Sequence, residues 1–157
     1  LKLLKWTKDG YEELFDAIGS AHWVQFCIDQ VRRGNEQPEG ALDCDEFAAW
    51  AADAITYRLC PMILTVAYQK ENSLKGGGHN VCIYLDKEKM DVYHISNWGI
   101  HGPYPTLEKL IADICKLAGA KKIGWAIHNR DLKHLCFGVK YKHITAQTLM
   151  DIYYSTY

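Results

Sequence analysis

The residue best suited to covalent chemistry is Cys44, in the sequence Leu-Asp-Cys-Asp-Glu-Phe at 42–47. Asp43 and Glu46 have the spacing of a capping box, which predicts a helix with Asp43 as its N-cap and Cys44 in its first turn. Free backbone N–H groups and the helix dipole favour the nucleophilic thiolate there. The neighbouring carboxylates oppose it, and a dipole is worth only about 0.3–1 kcal/mol at an exposed site. Activation of Cys44 therefore requires an imidazolium, and the alternative is a small buried thiol at a helix start.

A histidine that could supply this charge is His79, which follows three glycines at 76–78 and begins a predicted strand. Glycines allow a close approach of the backbone, and a histidine at the start of a strand can point into a cleft. Strand alternation places Val81, Ile83 and Leu85 on the same face as His79. The alternative is that His79 lies on the surface, or lies in the core with its ring hydrogen-bonded.

Three polar residues in, or directly after, the next predicted strand could orient the imidazole of His79. They are Ser96, His94 and Asn97. A hairpin of strands 79–85 and 90–96 that pairs Leu85 with Met90 sets Ser96 opposite His79, with His94 diagonal on the same face. A one-residue bulge sets Asn97 there instead. Each could hold the tautomer that a general base needs.

The aromatic residues after this strand are expected to shape a substrate cleft. Trp98 directly follows Asn97, and its indole could shield a hydrogen bond to His79 from water. Tyr104 stands at the end of the same loop. A thiol, an imidazole and an orienting group together give the pattern of a cysteine hydrolase or acyltransferase.

Three motifs resemble a known superfamily. The sequence Asp-Cys-Asp-Glu-Phe-Ala at 43–48 resembles the helix start of transglutaminase-like and NlpC-type cysteine peptidases. Gly-His-Asn-Val-Cys-Ile-Tyr-Leu at 78–85 resembles their second motif, and Ile-Ser-Asn-Trp-Gly at 95–99 resembles the third motif of transglutaminase-like members and the Asn-Ser-Trp-Gly of papain. The resemblance covers roughly residues 40–117, and the 35 residues from Cys44 to His79 suit the compact branches of this papain-like superfamily.

The resemblance implies a peptidase or amidase that works through a thioester acyl-enzyme. Cys44 would attack the carbonyl with its backbone N–H holding the oxyanion, His79 would transfer the proton, and Asn97 would orient His79. Ser96 and His94 are the alternative orienters. Two other functions stay open: transglutaminase-like acyl transfer by the same residues, and a catalytically inactive binding or structural domain.

Composition limits the other classes of function. The 157 residues suit one domain over 1–157, and a net charge of −1 without a Lys/Arg run longer than two argues against nucleic-acid binding. No apolar stretch reaches the roughly 20 residues of a membrane span. Six cysteines without a C-x-x-C pair indicate a reducing, cytoplasmic compartment. No metal or cofactor is expected, because His94 and His101 lack ligand spacing with a cysteine, and the expected partner is a protein, peptide or other amide substrate.

The predicted elements indicate an α+β fold in which the helix that carries the nucleophile packs on a mostly antiparallel sheet, as in a papain-like or transglutaminase-like core. They are helical residues 9–33, a helix at 44–58, strands at 62–68, 79–85 and 90–96, a loop at 97–105, a helix capped by Thr106 that runs to 117 and is closed by Gly119, strands at 123–128 and 135–141, and a short helix opened by Thr145.

Overall fold

A computed structural model describes residues 33–35, 44–70, 76–96, 98–129, 134–138 and 143–156. The predicted helical segment 9–33 lies outside these residues, except for its last position. The elements are α1 (Cys44–Ala54), a 3₁₀ turn (Tyr57–Leu59), β1 (Met62–Lys70), β2 (Gly76–Asp86), β3 (Asp91–Ser96), β4 (Gly99–Tyr104), α2 (Leu107–Ala118), β5 (Ala120–His128), β6 (His134–Gly138) and α3 (Ala146–Thr156).

Within the described residues, the strands form one six-stranded sheet in the order β4-β3-β2-β1-β5-β6. Each of the five neighbouring pairs is antiparallel. The predicted α+β class and antiparallel sheet are therefore confirmed. In the described part of the chain, no helix has the length and apolar character that crossing a membrane requires.

The helix starts follow the local sequence. Helix α1 begins at Cys44, as predicted, but ends at Ala54 and not at position 58, because Thr56 opens the separate 3₁₀ turn. Helix α2 has the predicted caps: the Thr106 hydroxyl accepts a hydrogen bond from the Lys109 N–H at 3.3 Å, and Gly119 takes a φ of 62°.

The β2–β3 hairpin has a different register from the predicted one. Leu85 pairs with Val92, and Asp86 pairs with Asp91, so the loop consists of residues 87–90. The predicted pairing of Leu85 with Met90 is therefore wrong by two residues. An even shift keeps every side chain on its expected face.

The side chain of Asp86 explains this longer loop. Its carboxylate accepts hydrogen bonds from the backbone N–H groups of Glu88 at 3.0 Å and Lys89 at 3.2 Å. Met90 closes the loop in the left-handed region, with a φ of 54°. These contacts keep Asp86 in the ladder as the last paired residue of β2.

Strand β4 lies where the sequence predicted only a loop. It pairs with β3 and forms one edge of the sheet. Proline removes a backbone donor and occurs in sheets mainly at edges, so Pro103 is compatible with this position. Glycine and proline have low β-propensity, so a prediction based on β-propensity did not identify this segment as a strand.

One face of the sheet, the α2/α3 face, carries the main apolar core. The buried side chains of this core include Met62, Leu64, Val66, Val81, Ile83, Leu85, Trp125 and Ile127 from the strands, with Leu107, Leu110, Ile114, Leu149 and Tyr153 from the two helices. The opposite face, the α1 face, buries Ile63 and Cys82 together with Ala48 and Ala51 of α1. Polar side chains can therefore form one site only if they lie on the same face of the sheet.

Candidate active site

The thiol of Cys44 lies half-buried at the first residue of α1. The side-chain amide of Asn80 donates to it, with Nδ2 3.9 Å from Sγ. Asp43, the predicted N-cap, lies outside the described residues. Cys44 thus has both features that favour a thiolate: a helix N-terminus and an N–H donor beside the sulfur.

The amide of Asn80 is held in one orientation by Thr65. The Thr65 hydroxyl donates a hydrogen bond to Asn80 Oδ1. Thr65 and Asn80 are direct cross-strand partners on β1 and β2. Because Oδ1 is engaged by Thr65, the N–H₂ end of the amide is directed at the sulfur of Cys44.

The imidazole of His128 extends this arrangement. Its Nε2 lies 3.3 Å from Thr65 Oγ1. Since the Thr65 hydroxyl hydrogen is donated to Asn80, its oxygen accepts from His128, which places a proton on Nε2. Cys44, Asn80, Thr65 and His128 form a continuous set on the α1 face, which we name the polar row.

His79 lies on the other face of β2. The β1–β2 ladder is regular on both sides of this position, so consecutive residues alternate and His79 opposes the direction of Asn80. The ring of His79 packs on Trp98, with centroids 4.3 Å apart and planes inclined by 37°. The observed hairpin register, continued by three residues beyond the last pair, sets position 98 opposite His79. The sequence predicted position 96 or 97 opposite His79.

The residues predicted to orient His79 have the following positions. Asn97 lies outside the described residues, so its role stays a prediction. Ser96 is buried, and its Oγ accepts a hydrogen bond from the Trp98 N–H at 3.1 Å, which fixes the turn into β4. His94 is fully buried, and its Nε2 lies 3.5 Å from the Tyr104 hydroxyl. Burial lowers the pKa of His94 to about 4, so it is neutral at neutral pH.

The two residues predicted to line a cleft are both half-buried on the α2/α3 side. Trp98 contacts His79, and the Tyr104 hydroxyl donates to the Asp113 carboxylate. Burial, followed by this hydrogen bond, raises the pKa of Tyr104, so the phenol keeps its proton. Their contribution to a substrate cleft stays a prediction.

Cys44 differs from the other thiols whose side chains are described. Cys60, Cys82 and Cys115 are buried, and burial raises the pKa of each thiol. A raised pKa lowers the thiolate fraction at neutral pH and so lowers reactivity. Among these four thiols, Cys44 is the only one that is half-buried.

Sequence reasoning missed three members of the polar row: Asn80, Thr65 and His128. Asn80 follows His79 directly, so strand alternation alone predicts that their side chains point to opposite faces of the sheet. Which face meets α1 depends on helix packing, which the sequence pattern does not specify. Thr65 and His128 come together through the β1–β2 and β1–β5 registers, between residues far apart in the chain.

The polar row can support acyl chemistry. It presents a nucleophile, an N–H donor for a developing oxyanion, and an imidazole linked through a hydroxyl. No protein-family model and no curated protein matches this chain. Its function is therefore inferred from these side chains and from the sequence motifs.

Proposed function

We propose that the chain is a cysteine hydrolase that cleaves an amide bond through a thioester acyl-enzyme, with Cys44 as the nucleophile. The observation that carries the proposal is the contact between the half-buried Cys44 thiol, at the start of α1, and the oriented amide of Asn80. A helix that carries a cysteine and packs on an antiparallel sheet, together with the three motifs, supports a transglutaminase-like form of the papain-like core.

The first step is attack of the Cys44 thiolate on the carbonyl carbon of the amide. The carbonyl electron pair moves to oxygen, and Asn80 Nδ2 and the Cys44 backbone N–H donate to that oxyanion. One donor of this kind typically contributes about 10²–10³ in kcat. Collapse forms the thioester and expels the amine, which takes a proton from the imidazolium. Water then attacks the thioester, which releases the acid and restores the thiol.

A histidine takes the thiol proton in this scheme. The sequence hypothesis assigns this role to His79, oriented by Asn97, but the side chain of His79 lies on the face of the sheet opposite Cys44. His128 is the second candidate, because it lies on the Cys44 side of the sheet; with a proton on the Nε2 that faces Thr65, its accepting nitrogen is Nδ1. The expected substrate is a protein, a peptide or another amide.

Site-resolved alkylation tests the proposal. The protein is treated with limiting iodoacetamide over a pH series, and mass spectrometry measures the rate at each cysteine. Cys44 should react before Cys60, Cys82 and Cys115, with an apparent pKa below the free-thiol value of about 8.5. The low-pH reactivity should be lost in the variant that removes the proton acceptor, either His79→Gln or His128→Gln.

An exposed histidine provides the control. His143→Asn changes a solvent-facing side chain. The backbone at this residue has a φ of 64°, a conformation that asparagine tolerates. Its alkylation profile should match the wild type, and circular dichroism should show that all three variants fold. The hydrolase proposal fails if Cys44 reacts no faster than the buried thiols, or if both folded variants, His79→Gln and His128→Gln, keep the wild-type pH profile.

A further inference from the structure

A second cluster of ionisable side chains lies on the α2/α3 face, outside the polar row. It consists of His94 on β3, His101 on β4 and Asp113 on α2. Each residue offers one ligand atom, and these atoms lie within 4.8 Å of one another. The rings of the two histidines stack with centroids 5.0 Å apart. We name this set the His-Asp cluster.

The outer contacts of the cluster orient its ligand atoms. His101 Nε2 lies 2.9 Å from the Trp98 carbonyl oxygen, which can only accept, so this nitrogen carries the proton. Nδ1 is therefore the nitrogen of this ring that is left to bind a metal ion. The Asp113 carboxylate is fixed by the donated hydrogen bond from Tyr104. Metal-binding histidines and carboxylates are commonly held by such outer hydrogen bonds.

His94 supplies an independent observation. It is 0% exposed, and its Nδ1 has no hydrogen-bond partner among the described residues. Its Nε2 lies 3.9 Å from Asp113 Oδ2. The nitrogen that faces the cluster is Nε2, and its contacts, 3.9 Å to the carboxylate and 3.5 Å to the Tyr104 hydroxyl, are longer than ordinary hydrogen bonds, so a cation at Nε2 would give this buried nitrogen a close partner.

We propose that His94, His101 and Asp113 bind a first-row divalent transition-metal ion, for which Zn²⁺ is a suitable probe. Two imidazoles and one carboxylate match the ligands that such ions take, and water can complete a tetrahedral shell. Ligand atoms around one tetrahedral zinc ion lie about 3.4 Å apart. The three ligand atoms, now within 4.8 Å of one another, therefore have to move closer together when the ion binds.

The proposed ion would connect the paired strands β3 and β4 to α2. It would lie next to Trp98, the residue that packs on His79. This proposal does not depend on the hydrolase proposal, because neither Cys44 nor the rest of the polar row contributes a ligand.

Zinc titration of purified protein tests the site. The titration uses a Cys44→Ser background, which removes the half-buried thiol as a competing ligand. Calorimetry should show one Zn²⁺ bound per chain, with an affinity lowered about tenfold or more by His101→Gln and by Asp113→Asn. Both substituted side chains are half-buried, and circular dichroism checks that the variants fold.

A second probe and a matched control complete the test. Co²⁺ should give visible absorption bands in the Cys44→Ser protein that are lost in both cluster variants. His143→Asn, which changes an exposed histidine outside the cluster, should leave Zn²⁺ affinity unchanged. The proposal is overturned if the Cys44→Ser protein binds no zinc, or if either cluster variant binds zinc as tightly as that background.

Discussion

Asn80 acquires its role from two neighbours and not from its own side chain alone. Thr65 engages its carbonyl oxygen, and the sulfur of Cys44 faces its N–H₂ group. An amide free to rotate would present either end to the thiol, whereas this one presents the donor. The electrostatic environment of Cys44 therefore depends on Thr65 of β1, which acts through Asn80.

Removing the amide should weaken the thiolate of Cys44. In Asn80→Ala, we expect the pKa of Cys44 to rise and alkylation at neutral pH to slow by about tenfold or more, because a hydrogen bond to a charged group is worth about 1.5–3 kcal/mol and one pKa unit corresponds to about 1.4 kcal/mol. The measurement is the pH dependence of the rate of iodoacetamide modification at Cys44.

Thr65→Val is the matched variant. It keeps the shape of the side chain but removes the hydroxyl that orients Asn80, so the effect on Cys44 should have the same sign and a smaller size. A wild-type pH profile in Asn80→Ala would show that the amide does not stabilise the thiolate.

The helix start at Cys44 could be predicted from sequence, and the surroundings of its thiol could not. The capping-box spacing around Cys44 is local, so it correctly predicted that α1 begins there. The contact between Cys44 and Asn80 depends on which face of the sheet α1 covers. His79 was predicted as a site residue because it is a histidine at the start of a strand. The side chain that is directed at Cys44 belongs to the next residue, Asn80.

At the scale of helices and strands, hydrogen bonds between residues close in the sequence explain both a correct prediction and a wrong one. The ends of α2 were predicted because Thr106 and Gly119 form caps from their own sequence neighbourhood. The hairpin register was predicted wrongly because the Asp86 carboxylate stabilises a loop at 87–90 that a pattern of apolar residues does not reveal.

Strand β4 should be sensitive to a side chain at Gly102. Its φ is 141°, and a Cβ there would lie 2.6 Å from Tyr93 Cδ1. Tyr93 stacks on Tyr84 with centroids 5.3 Å apart, which restricts its movement. We expect Gly102→Ala to lower the free energy of unfolding by about 1–3 kcal/mol more than a glycine substitution without this clash.

Gly99→Ala is the control, because Gly99 also has a positive φ, 91°, but a Cβ there would meet nothing within 4 Å. Its cost should be that of backbone strain alone. Urea unfolding of the two variants gives the difference. Equal losses of stability would argue that Tyr93 moves aside without cost.

At the scale of the whole molecule, the sheet separates two chemically different environments. The α2/α3 face holds the large apolar core together with the His-Asp cluster, and the α1 face holds the polar row. Strand alternation distributes neighbouring residues between them, as it does for His79 and Asn80. A substitution in the core should nevertheless affect both faces, since the same strands form them.

Leu110→Ala tests this coupling. Leu110 of α2 is 0% exposed, and truncation of a buried leucine costs about 2–5 kcal/mol, which lowers Tm by roughly 5–15 °C. Cys82 is buried on the opposite face, so its modification under denaturant reports unfolding there. Tryptophan fluorescence and Cys82 modification should shift together.

Leu117→Ala, in the same helix but with Leu117 41% exposed, should change the midpoint much less. Separate transitions for the two probes in Leu110→Ala would instead indicate that the two sides of the sheet unfold independently.

The irregular edge strand β4 also bears on self-association. Exposed strand edges can recruit a strand from another molecule and start aggregation, and Ile100, 63% exposed, would add an apolar contact. Pro103 offers no backbone donor, and the β3–β4 register shifts between Val92 and His94. These irregularities interrupt the hydrogen-bond ladder that an incoming strand would form, so we expect β4 to disfavour edge-to-edge polymerisation.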